Sequence, residues 1–104
     1  MKKHLKPLGF LFTNILFLFP NLKAQELTKV KGKVVDENNH PLPFVNIRFE
    51  KANIGTTTDF DGQYKLESKW ATDKITASFL GFKNQTKNLK IGSPQQINFK
   101  LKSS

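Results

Sequence analysis

The 104-residue chain contains no cysteine. Disulfides, cysteine-built zinc sites and a lipid-modified N-terminal cysteine are excluded, so a folded domain must rest on packing alone or on a partner. Histidine is nearly absent, with His4 and His40 the two present. Zinc takes three or four N, S or O ligands, and the sequence has no histidine pair or cysteine to supply them. Serines such as Ser68, Ser78 and Ser93 lack a nucleophile-elbow context. Glycine-rich phosphate loops are missing, because no helical pattern follows any of the glycines. The chain also has no block of five or six like charges, which argues against a dedicated nucleic-acid surface. These absences point away from an enzyme, a cofactor and a nucleic-acid partner.

The first stretch, MKKHLKPLGFLFTNILFLFPNLKAQ, has a basic start at Lys2, Lys3 and Lys6, an apolar run from Leu8 to Phe19 and a polar exit ending in Ala24. That is the layout of a secretory signal peptide, with Gln25 as the new N-terminus. The apolar run covers 12 positions, whereas a membrane-spanning helix needs roughly 20. Residues 1–24 are read as a cleaved signal peptide and 25–104 as one domain, with no transmembrane segment left after cleavage. The expectation from this layout is an exported protein. Cleavage removes Lys2, Lys3, Lys6 and Lys23, so 17 basic residues become 13 against 8 acidic ones, a net charge of +5. Much of the basicity belongs to the leader, and the remainder reads as a lysine-rich solvated face.

The remaining 80 residues suffice for one small domain that buries only about 60% of its unfolded surface. Apolar residues recur with a period of two. Val30, Gly32 and Val34 share one face of a strand, with Lys29, Lys31 and Lys33 on the other. Val45, Ile47 and Phe49 alternate with Asn46, Arg48 and Glu50. Tyr64 with Leu66, then Ile75, Ala77 and Phe79, then Ile97, Phe99 and Leu101 repeat the pattern between turn-forming residues. Pro41 and Pro43 fit a strand's start or edge, since proline cannot donate to a ladder. With no helical period after residue 24, the expected fold is an all-β, antiparallel β-sandwich.

The segment GTTTDFDGQYKL, Gly55 to Leu66, carries two aspartates one residue apart. Were Asp59 the first position of an EF-hand loop, the sixth would be Tyr64 instead of glycine and the twelfth Trp70 instead of glutamate. Asp59 and Asp61 have a local task instead, because such side chains bond to backbone two residues on, and Asp-Gly is a strong turn signal. Gly62 is placed for φ > 0 and Gly55 for a bulge or a close backbone approach. A structural turn made by Gly55, Asp59, Asp61 and Gly62 is therefore expected, with a weak calcium site as the rival. Trp70, in ESKWATDK, either anchors a partner or a sugar, or closes one end of the sandwich. Lys31 and Lys33, with Trp70, are the candidate partner contacts, at a sheet edge or at that end.

The stretch GKVVDENNHPLPFVNIRFEKANIGTTTDFDGQYKL followed by ITASFLGFKNQT resembles the carboxypeptidase D regulatory-like domain. The residues that carry the resemblance are Gly32, Val34, Asp36, Pro41, Leu42, Val45, Ile47, Gly55, Thr56, Thr58, Asp59, Gly62, Tyr64, Leu66, Ser78, Gly81 and Phe82. The resemblance implies a transthyretin-like, immunoglobulin-like sandwich of about seven strands. Such domains sit beside zinc carboxypeptidases or ahead of TonB-dependent outer-membrane receptors. The peptidase zinc ligands have no counterpart here, and ENNH replaces the glycine usual in the first turn. The expectation is an exported, non-enzymatic accessory or interaction module of a bacterial envelope with a protein partner. The alternatives are a detached N-terminal extension of a nutrient-uptake receptor and a carbohydrate-binding module.

Overall fold

The computed structural model describes residues 26–104, so the leader assigned to residues 1–24 lies outside the described residues. Eight strands follow one another: β1 (Thr28–Val35), β2 (Asn46–Phe49), β3 (Gly55–Thr57), β4 (Gln63–Ser68), β5 (Lys74–Ser78), β6 (Gln85–Asn88), β7 (Pro94–Gln96) and β8 (Phe99–Lys100). No helix occurs among the described residues. One sheet runs β4-β1-β7 with β8 also on β1, and the other runs β3-β2-β5-β6. The fold is an all-β sandwich.

Its core is the set of alternating positions. Val30, Val34, Tyr64, Leu66, Phe99 and Leu101 come from the first sheet or the segment that continues it, and Val45, Ile47, Phe49, Ile75 and Ala77 from the second or its entry; all are buried. The intervening residues of β1, β2 and β4 point to solvent. The two-residue period fixes this division, because a slip by one position would turn every apolar side chain outward.

Strand pairing is mostly antiparallel, as expected, with an exception along one side of β1. β1 pairs antiparallel with β4 but parallel with β7 and β8. The partners Lys29↔Pro94 and Val35↔Lys100 keep one offset, so β7 and β8 are a single C-terminal run broken at Ile97–Asn98. Counted as one, they restore the expected seven strands. A period-two pattern says which face is buried and says nothing about strand direction.

Gly32 makes room for the backbone at this break. A Cβ there would stand 1.8 Å from the Ile97 carbonyl oxygen. Side chains make good the interrupted ladder: the Tyr64 hydroxyl donates to the Ile97 carbonyl at 2.6 Å, and the Lys33 N–H donates to Asn98 Oδ1 at 2.9 Å. Burial pushes the Tyr64 hydroxyl's pKa well above its ordinary value, so it remains a donor.

Candidate functional site

The segment Gly55–Gln63 folds as a chain of local backbone tasks. The Cβ that Gly55 lacks would meet the Ile47 carbonyl oxygen at 2.7 Å, so glycine allows β3 to close on β2. Thr58 is buried; its hydroxyl accepts from the Val45 N–H at 2.9 Å and donates to the Leu42 carbonyl at 2.6 Å. Asp59 is exposed, and its Oδ1 accepts from the N–H groups of Asp61 and Gln63, both at 2.9 Å. Gly62 has φ 76°, and a Cβ on it would lie 2.6 Å from the Val34 carbonyl oxygen. Asp61 contributes its backbone N–H, and its side chain faces solvent. Both accepting contacts of Asp59 are thus to backbone donors. Among the described residues no three His, Cys, Asp or Glu side chains stand close enough to hold a metal ion.

The neighbouring turn, Asp36–Pro41, solves the same problem with other residues. Asp36 Oδ1 accepts from the Asn38 and His40 N–H groups. Asn39 takes φ 67° within this turn, as asparagine does more readily than most residues. The backbone N–H of His40, with that of Asn38 and the nearby imidazole, holds the Asp36 carboxyl below the usual carboxylate range. The backbone N–H of Ser103 does the same for Glu37.

Trp70 stands in the β4–β5 loop with 66% of its surface exposed, and its backbone N–H donates to Ser68 Oγ. It is not part of the core cluster, so the indole does not close the end of the sandwich. Lys31 and Lys33 lie on β1, which has β4 on one side and β7 and β8 on the other. The sheet-edge placement is therefore corrected: β1 is an inner strand, and these lysines project from a sheet face. Nor are they one patch with Trp70. Ser68 pairs with Thr28, so Lys33 lies five residues further along β1, about 17 Å away at strand spacing.

That face is a small grid. Across the sheet, Glu67, Lys29 and Pro94 form one row, Lys65, Lys31 and Gln96 the next, and Gln63, Lys33 and Asn98 the third. Four lysines face one glutamate. Among the described residues the one contact within salt-bridge distance is His40 to Asp36, at 3.5 Å, so none of the four lysines is paired. Lys31, Lys33, Lys65, Gln63, Gln96 and Asn98 line an open groove of about 780 Å³ that continues to Thr56 and Thr57 of β3. Sequence reading missed Lys65, Gln96 and Asn98. The outward phase of QYKLES marks Lys65, whereas the polar residues of β7 carry no period to place them.

The model of the CarboxypepD_reg-like domain matches residues 30–104. The chain belongs to that family. Among curated relatives, TonB-dependent receptor P3 of Formosa agariphila is 36% identical over 95% of this chain and 10% of the receptor. TonB-dependent receptor SusC of Bacteroides thetaiotaomicron is 39% identical over 67% of this chain and 7% of the receptor. The chain therefore spans about a tenth or less of these relatives. A cohesin–X-dockerin complex from Acetivibrio cellulolyticus matches with a TM-score of 0.62 at 10% identity, covering 73% of this chain and 58% of that one. The 3-chlorocatechol 1,2-dioxygenase of Rhodococcus opacus 1CP matches at 0.56 and 13% identity, covering 80% and 62%. At such identities these two solved structures speak for the fold alone. No helix among the described residues is long and apolar enough to cross a membrane.

Proposed function

We propose that this CarboxypepD_reg-like domain is an exported, non-enzymatic docking module that serves a TonB-dependent receptor of the bacterial outer membrane. The observation that carries this reading is the match of almost the whole chain to a short part of TonB-dependent receptors. The site supports it: Thr58 and Asp59 of GTTTDFDG are engaged with backbone, and Lys31, Lys33 and Lys65 line an open groove on the sheet face. Such a surface suits reversible protein contact, in which complementary charge speeds encounter and selects partners.

In this reading residues 1–24 direct export and are removed, the turn of Gly55, Asp59, Asp61 and Gly62 is structural, and no cofactor takes part. Lys31 and Lys33 contact the partner from the sheet face, and Trp70 adds a separate contact at the sandwich end.

Fractionation with proximity cross-linking in the native host tests it. The protein is expected in the periplasm or with the outer membrane, with Gln25 as its first residue, cross-linked to a TonB-dependent receptor. Retention in the cytoplasm with Met1 in place, or envelope cross-links that never include such a receptor, would overturn the proposal.

A further inference from the structure

Lys31 and Lys65 are direct cross-strand partners on the outer face of the β4-β1-β7 sheet. Like charges directly opposed on a sheet destabilise it. Neither is neutralised by an ion pair among the described residues. Around them the grid supplies the carboxamides of Gln63, Gln96 and Asn98, with Lys33 beside Asn98 and Lys29 one row away. Two acidic residues share the face, Glu67 opposite Lys29 in the grid and Asp59 in the lining of the groove, against the four lysines. A sheet that retains repelling cations among neutral hydrogen-bonding groups has a surface complementary to an anion.

We propose that this face is a binding site for an extended acidic protein segment with carboxylates at alternate positions. The spacing selects the occupant. Lys29, Lys31 and Lys33 lie two residues apart on one strand, hence about 6.7 Å apart, and every second side chain of an extended peptide has that same spacing and direction. Lys65 broadens the line into a fork that can hold one carboxylate between two ammonium groups. The carboxamides hydrogen-bond the peptide's backbone. An anionic polysaccharide fits less well: no exposed aromatic ring lies in the grid to stack on a sugar, since Tyr64 and Phe99 are buried and Trp70, Phe44 and Phe60 lie outside it. This deepens the docking role proposed above and rests on it for the partner's biological setting, whereas the chemistry can be tested without export or a receptor.

The experiment is titration of the purified protein with a ten-residue peptide of alternating Glu and Thr, followed by calorimetry and by amide chemical shifts. The alternating peptide is expected to bind and to shift the amides of Lys31, Lys33, Lys65 and Gln96. Its affinity is expected to fall about tenfold or more in Lys31→Gln with Lys65→Gln, and less than about twofold in Lys74→Gln with Lys90→Gln, two exposed lysines outside the grid. An isomer with the five glutamates consecutive is expected to bind more weakly, and polygalacturonate no more tightly than that isomer. Equal binding of the two isomers, tighter binding of polygalacturonate, equal losses in the two lysine pairs, or no binding at low salt would each overturn the proposal. Failure here with receptor cross-linking intact removes the acidic-segment site alone; success here without a receptor removes the setting alone.

Discussion

Asp59 is held by its own turn. Its Oδ1 takes two N–H groups of the turn, so Asp59→Ala is expected to cost about 1–2 kcal/mol. The loss should be the same with and without calcium in a thermal melt. Gly62→Val should cost more than Asp59→Ala, because φ 76° and the 2.6 Å approach to the Val34 carbonyl leave no place for a β-branched side chain. The acidic turn residues predict a pH dependence. Asp36 and Glu37 have carboxyl pKa values lowered by the backbone N–H groups of His40 and Ser103. A lowered folded value stabilises the fold at pH above the ordinary carboxylate range and loses that contribution as pH falls through the folded value, so the loss lies below about pH 4. Melting temperature should therefore drop on acidification through that window, and less steeply in Asp36→Asn, which keeps an acceptor but no longer titrates. Asp59 and Gly62 were legible in the sequence as a turn because Asx and glycine chemistry is local. Thr58 was not, because its partners Leu42 and Val45 are 16 and 13 residues away.

At the scale of elements, the half-buried strands were legible and the polar ones were not. β1, β2, β4 and β5 alternate strictly enough to assign their faces, whereas β3 (GTT), β6 (QTKN) and β7 (PQQ) bury too little to leave a period. The parallel return of the C-terminal run beside β1 was likewise invisible, since it depends on which strands meet. Gly32 is the element-scale test of that return. Gly32→Ala would place a methyl on the Ile97 carbonyl and displace the Tyr64 hydroxyl from it, so a loss of about 2 kcal/mol or more is expected in denaturant unfolding. The like-charged pair gives the opposite sign. Lys65→Glu sets an acid opposite Lys31 and should stabilise the sheet by a few tenths of a kcal/mol, while the acidic peptide no longer binds. A variant that gains stability and loses binding separates surface function from fold.

For the molecule as a whole, the core and the proposed docking surface are distinct sets of residues. Phe49 and Ile75 are fully buried in a domain without disulfides, and Phe49→Ala should cost about 3–5 kcal/mol. Trp70→Ala, by contrast, should change stability by less than about 0.5 kcal/mol, because its indole lies outside the core. Phe44 and Phe60, edge-to-face at 5.4 Å and both exposed, stand at the opposite end from Trp70, where β2 and β4 begin. The account of a docking module rests on the lysine face between these ends. Its most direct test is a photo-cross-linking amino acid placed at Lys65, and in a second variant at Lys74 on the other sheet, with adducts identified by mass spectrometry from the envelope of the native host. The account predicts that position 65 forms an adduct with an acidic segment of a TonB-dependent receptor and that position 74 does not. Receptor adducts at position 74 with none at position 65 would contradict it.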